Sequence, residues 1–227
     1  MKINRLLDIL KWGLLISILG FLGCAGPSLY SVNMYYDAEQ ASIPAYLKAD
    51  KASSAIISVA EFIDTRQMDD RLVIGYVVEK DGMKNLVLPK NVKATKAISR
   101  GIKEYLRKAG YKVFDKIVQW DLKEETMSKE DFKIIIGGNI DELEISCRRG
   151  FPTNTYATNM KLTIVFADMA KGKILYQSKV ESSYTKEYFW FSEENLAEQA
   201  GIALGDAIEK IFEDKVVAQK LKEAITQ

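Results

Sequence analysis

Glu142 and Glu144 lie two residues apart, a spacing that sets both carboxylates on one face of a strand and suggests the carboxylate pair of glycoside hydrolysis. Neighbours on one strand face seldom oppose each other across a substrate, so the pair reads as an exposed face. Histidine is absent from the chain. Its absence excludes Ser-His-Asp and Cys-His nucleophile systems, HExxH metalloproteases and zinc sites that need imidazole. Two cysteines, Cys24 and Cys147, are too few for a disulfide scaffold or a Cys-only metal cluster. No metal site, cofactor or catalytic residue is expected. Cys147 reads as a small apolar core residue, and a hydrolase working with Asp and Glu alone is kept only as a third alternative.

Binding chemistry is better supplied. Lys93, Lys96, Arg100, Lys103 and Arg107 recur at spacings of 3, 4, 3 and 4, which places them on one stripe of a helix. A later helical segment is the reverse, with Glu193, Glu194, Glu198, Asp206, Glu209, Glu213 and Asp214. Either stripe is an ordinary solvated face, or the basic one meets an anionic lipid, lipopolysaccharide or the acidic face of a second subunit. Lys plus Arg is 32 and Asp plus Glu is 31, a formal charge of +1 that speaks against a nucleic-acid partner. Asp64 and Arg66, on one face of an extended segment, are expected to pair or to hold the following turn.

The amino terminus carries an address. Lys2, Arg5 and Lys11 precede an uncharged run from Trp12 to Gly23, and Cys24 follows with Ala25 and Gly26 behind it. The run of 12 residues is short of the ~20 that a spanning helix needs, and the three-part order is that of an export signal. Phe21-Leu22-Gly23-Cys24 resembles the lipobox of bacterial lipoproteins, although Phe21 stands where Leu is usual. The resemblance implies removal of residues 1–23 and acylation of Cys24. Two or three acyl chains on one cysteine meet the two-signal requirement for stable anchoring. Ala25, in place of Asp, implies sorting to the outer membrane, facing the periplasm, with inner-membrane retention as the alternative. An unmodified cysteine beside an ordinary cleavage site is the other reading of Cys24.

The elements that position these residues follow from periodicity. Residues 24–53 mix Pro27, Pro44 and Tyr30, Tyr35, Tyr36 and Tyr46 without a lasting pattern and read as a tether, its tyrosines docking on the domain or, as the alternative, on a partner. Residues 54–227 read as one periplasmic domain. Ala55–Phe62 is apolar on both parities, as for a strand covered on both faces. A hairpin is expected around Lys80-Asp81-Gly82, then a helix capped by Asn91, with Ala94, Ile98, Ile102, Tyr105 and Ala109 inside and Gly110 closing it. In the second half the buried parity switches near Asp141, which calls for a bulge. Met160, Leu162, Ile164 and Phe166 alternate cleanly. Ser192 opens a last helix with Leu196, Ala200, Leu204 and Ile208 on its apolar face. Tyr188 to Phe191 are expected to pack beneath that helix as its staple, with a partner-binding patch as the alternative. The expected fold class is α+β: a mixed, largely antiparallel sheet with two amphipathic helices packed on it.

Phe62-Ile63-Asp64-Thr65-Arg66, then Ile74-Gly75, the hairpin, the amphipathic helix and Ala109-Gly110-Tyr111-Lys112-Val113, together resemble the YajG-like lipoprotein family over residues 54–212. That resemblance implies a periplasmic α+β module, related in architecture to auxiliary lipoproteins of envelope transport, and supplies no catalytic residues. Phe62, Asp64, Arg66 and Gly75 are its motif positions, with a structural role expected. The sequence thus points to a lipid-anchored binding or assembly module without chemistry of its own. The alternative is a structural subunit of a larger envelope assembly formed by homo-oligomerisation.

Overall fold

A computed structural model describes residues 28–49, 55–127 and 131–226. Cys24, the lipobox and the boundary at residues 53–54 lie outside these. The strands are β1 (Leu29–Val32), β2 (Ile56–Val59), β3 (Ile63–Asp64), β4 (Gly75–Val78), β5 (Lys84–Pro89), β6 (Lys112–Val113), β7 (Ile134–Arg148), β8 (Asn154–Asp168) and β9 (Lys173–Tyr188). The helices are α1 (Ala94–Lys108), α2 (Glu193–Glu213) and α3 (Lys215–Thr226). All described strands join one mixed sheet, and the fold is α+β.

β7 is its spine. One edge pairs along its length with antiparallel β8, which pairs in turn with β9. The other edge takes β2, β3 and β4 in succession, each parallel to it: Ile57 opposite Ile134, Ile63 opposite Asn139, Gly75 opposite Ile145. β6 extends the sheet beyond β2, while β5 and then β1 extend it beyond β4. The register shifts between Ile140 and Glu142, so Asp141 is bulged out and the buried side changes from Ile140 to Leu143, Ile145 and Cys147.

Burial explains the two kinds of strand. Met160, Leu162, Ile164 and Phe166 of β8 point to the helical layer, where Leu196, Leu204, Ile208 and Phe212 of α2 and Ile98, Ile102 and Tyr105 of α1 complete the main core. Ala60, Ile135, Val165 and Ala167 face the other way into a smaller cluster with Trp120 and Phe132. The apolar run at 55–62 is therefore buried on both sides, as its composition requires.

Capping differs from expectation at α1 and agrees elsewhere. Lys93, not Asn91, is the N-cap, with no side-chain hydrogen bond. At the other end Gly110 takes φ +95°, and the Gly110 and Tyr111 N–H groups donate to Arg107 and Leu106 carbonyls, closing the helix in the left-handed manner glycine permits. Ser192 accepts from the Asn195 N–H at the start of α2.

Two parts of the expected architecture are corrected. A third helix follows the last one foreseen: Asp214 accepts the Val216 N–H, and Val217, Leu221 and Ala224 are buried. The segment read as a tether is part of the domain from Ser28 to Ala49. Leu29–Val32 pair with β5, Leu47 is buried, Tyr36 packs on Tyr105, and the Tyr46 hydroxyl donates to the Glu213 carbonyl. Tyr35 alone of the four tyrosines is largely exposed.

Candidate functional site

The solvent side of α1 borders a cleft of about 400 Å³ lined by Lys96, Ser99, Arg100, Lys103, Arg107 and, across from the helix, Glu61 and Asp115. Ser99 fixes its floor, donating to the Ala60 carbonyl and accepting the Phe62 N–H, which locks α1 to the segment after β2. The five stripe residues do not share one environment. Lys103 is only 5% exposed, and its ammonium donates to the Asp115 and Lys116 carbonyls at 3.0 and 2.8 Å. Burial, with Arg107 nearby, holds its pKa below the ordinary lysine value. Lys103 is thus a brace between α1 and the 115–116 turn, a correction to its expected place on a solvent stripe. Arg107 pairs with Asp115 at 2.5 Å. Lys93, Lys96 and Arg100 form no salt bridge among the described residues, and they are the charges this surface offers to a ligand.

A larger hollow of about 650 Å³ lies between the loop before β4 and the start of α1. Of its carboxylates, Glu61 accepts from Thr95 and Gln119 and Asp70 from the Leu72 N–H, while Asp69 is exposed at its rim. Asp64 accepts three hydrogen bonds from Arg66, two from the guanidinium at 2.9 and 2.7 Å and one from the backbone N–H at 3.2 Å. Arg66 is 5% exposed and also donates to the Arg71, Val73 and Leu143 carbonyls, tying β3, the following loop and β7 together. Phe62 is buried in the main core. Gly75 admits no side chain, because a Cβ there would overlap the Ile145 carbonyl of β7. All four motif positions are structural elements of one junction.

The remaining sequence candidates separate. Glu142 pairs with Lys161 at 3.1 Å, and Lys161 lies 3.7 Å from Glu181; Glu142 and Glu144 both border a hollow of about 300 Å³ beside Asp141 and Tyr76. Cys147 is fully buried, and that burial pushes its thiol up to about 11. Among the described residues no group of acidic or cysteine side chains is placed to hold a metal, and no helix is long and apolar enough to cross a membrane.

The aromatic run divides. Tyr188 packs on Tyr156, and Phe191 stacks between Tyr156 and Tyr30, with Arg149 over its ring. Phe189 and Trp190 turn outward, 72% and 84% exposed, so only half of the expected staple lies beneath α2. The strand ends at Tyr188, and the bend at Phe189 and Trp190 turns those two rings outward before Phe191 returns to the core.

Fold and surface together define an α+β domain with a partly open basic cleft and a structural acid–base junction. No protein-family model matches the sequence, and comparison with curated proteins gives no significant match. Among solved structures, protein XCC0632 from Xanthomonas campestris, of the DUF330 family, aligns over 86% of this chain and 99% of its own with a TM-score of 0.50 at 10% identity. Lipoprotein GNA1162 from Neisseria meningitidis aligns over 70% of this chain and 99% of its own, with a TM-score of 0.38 at 11% identity. The PelC dodecamer from Paraburkholderia phytofirmans aligns over 72% and 88%, with a TM-score of 0.39 at 12% identity. The first likeness shows the fold; the other two are too loose to carry an argument.

Proposed function

We propose that this chain is a lipid-anchored, non-catalytic binding and assembly module of the bacterial envelope, held on the periplasmic face of the outer membrane by acyl chains on Cys24 and akin to the YajG-like lipoproteins. The observation that carries this reading is the order of Gly23-Cys24 after a short uncharged run, with the packed domain already under way at Ser28. It is supported by the structural engagement of Asp64 with Arg66 and of Glu61 with Thr95 and Gln119 around the hollow before α1. The open charges Lys93, Lys96 and Arg100 suit an anionic group, a lipid headgroup or lipopolysaccharide phosphate.

Replacing Cys24 by Ser tests the anchor. The wild-type chain should take up labelled palmitate in cells and fractionate with outer membranes; Cys24→Ser should take up none and remain as precursor or soluble protein. Label retained by Cys24→Ser would sink the reading, and wild-type label confined to the inner membrane would overturn the placement alone.

A second reading, a homo-oligomer, is favoured by one observation: Lys93 and Arg100 are exposed at α1 while Glu193, Glu194 and Glu213 of α2 are exposed as well. Contact between copies through these faces should weaken with salt, since screening shortens to ~8 Å near physiological ionic strength. Sedimentation of the detergent-solubilised protein at low and high salt measures it; a monomer at low salt excludes it.

A further inference from the structure

Six strand termini meet at one end of the sheet. Arg148 at the end of β7 lies opposite Val78 of β4 and Thr155 of β8, and Asn154 lies opposite Tyr188 at the end of β9. Val78 pairs with Lys84 at the start of β5, and Leu86 with Leu29 at the start of β1. Side chains weld this end together: the Ser28 N–H donates to Asn85, Asn85 donates to Glu79, and Glu79 pairs with Arg149. Ser28, where the described chain begins, is therefore at the same end as the 149–153 and 189–192 turns.

These turns carry the most exposed large apolar side chains of the described residues: Phe151 at 91%, Trp190 at 84% and Phe189 at 72%. Leu29 adds a fourth at 61%. The rings are presented, not loosely hung. The Phe189 carbonyl accepts from Asn154, and the Trp190 carbonyl accepts from Asn195 and from the Tyr156 hydroxyl, so the backbone beneath both is fixed. Neither ring makes an aromatic or cation contact among the described residues. Charges of both signs surround them, Lys80, Lys84 and Arg148 with Asp81, Glu187 and Glu193, so a charged partner is not what this end selects.

We propose that this end of the sheet is a lipid-facing surface, its Phe151, Phe189 and Trp190 seated in the interfacial layer of the leaflet that holds the acyl chains. The proposal rests on the anchor at Cys24. Four peptide steps separate Cys24 from Ser28, a reach of at most about 14 Å when fully extended. The opposite end of the 15-residue β7 is roughly 50 Å away at about 3.3 Å per residue. Of the two ends, the tether length holds only the aromatic one against the bilayer. Trp and Phe suit that layer, since an aromatic body and, in Trp, a polar N–H match the boundary between acyl chains and headgroups.

The test uses the mature, full-length protein purified from membranes and reconstituted into phosphatidylethanolamine–phosphatidylglycerol vesicles whose acyl chains are brominated. Trp12 precedes Cys24 and leaves with the signal, so the emission comes from Trp120, which is buried, and Trp190, assigned by comparison with Trp190→Phe. Most of the Trp190 emission should be lost to brominated lipid, little to aqueous iodide, and high salt should not restore it. Trp190 quenched by iodide and not by lipid, in protein whose intact mass shows acyl chains on Cys24, overturns the lipid-facing surface and leaves the anchor standing. Shielding from both quenchers would mean a protein contact and overturns it equally. An intact mass with Cys24 unmodified fails the anchor, and the inference falls with it.

Discussion

Arg66→Met puts the junction between β3, β4 and β7 to the test. The guanidinium is almost fully buried and serves a paired carboxylate and three backbone carbonyls. Methionine matches its length and apolar stem but leaves Asp64, 15% exposed, without its counter-charge, and strands the Arg71, Val73 and Leu143 carbonyls. Breaking a buried pair from one side costs about 3–5 kcal/mol because the remaining charge is uncompensated. With a urea slope of about 2 kcal/mol per molar, the unfolding midpoint should fall by about 1.5–2.5 M. Adding Asp64→Asn removes the stranded charge, so the double variant should be more stable than the sum of the singles predicts, by about 1–3 kcal/mol. Circular dichroism through a urea series, on all four members of the cycle, measures both quantities. An Arg66→Met midpoint within about 0.5 M of wild type, or additive losses in the double variant, would refute the structural account of the pair.

Further tests separate residues that look alike in the sequence. Lys103→Gln should cost about 1–3 kcal/mol, because a buried charged donor to two carbonyls is lost, whereas Lys96→Gln with Arg100→Gln should stay within about 0.5 kcal/mol by urea denaturation. The Cys147 thiol, raised to about 11, should resist alkylation in the folded protein at neutral pH and react fully once unfolded, as a thiol-reactive chromophore will show. Glu209 has its pKa raised, first by burial and then by Glu213. The folded state holds that proton more tightly than the unfolded chain, so ionisation opposes folding as pH rises past the ordinary carboxylate value. Glu209→Gln should therefore raise the urea midpoint at pH 7 and change it little at pH 4.

Much of this arrangement is legible in the residues because it is local. Alternation at Met160–Phe166, the parity switch at Asp141, Gly110 after a helical face and the Ser192 cap each depend on neighbours within a few positions. What escapes is non-local. Leu29–Val32 is a strand only because β5, 57 residues later, offers it an edge, and its Pro- and Tyr-rich surroundings give no period of their own. Lys103 falls on the basic stripe by spacing, yet the 115–116 turn folds over it. Asn91 is a good cap by type, but the chain enters the helix two residues later, at Lys93, and the larger hollow opens beside that end. α3 went unread because its apolar set is brief: Val217, Ala218, Leu221 and Ala224. In the aromatic run, the split between Phe191 and Trp190 is settled by the bend that follows the end of β9, which composition does not reveal.

The tandem pairing of β2, β3 and β4 along a single edge of β7 has a consequence for how the protein is made. A chain that emerges amino terminus first presents β2 and β4 as apolar segments before their shared template exists. The β4–β5 hairpin with β1 beside it, and β2 with β6, can close early, each within 60 residues. Pairing over such separations is slow because loop closure precedes any gain from contact. Until Ile134–Arg148 arrives, the first half carries unpaired edges of the kind that join other chains. A fragment ending at residue 131 should accordingly show no cooperative unfolding transition and should aggregate, so the carboxy-terminal half acts as the template on which the amino-terminal half is completed.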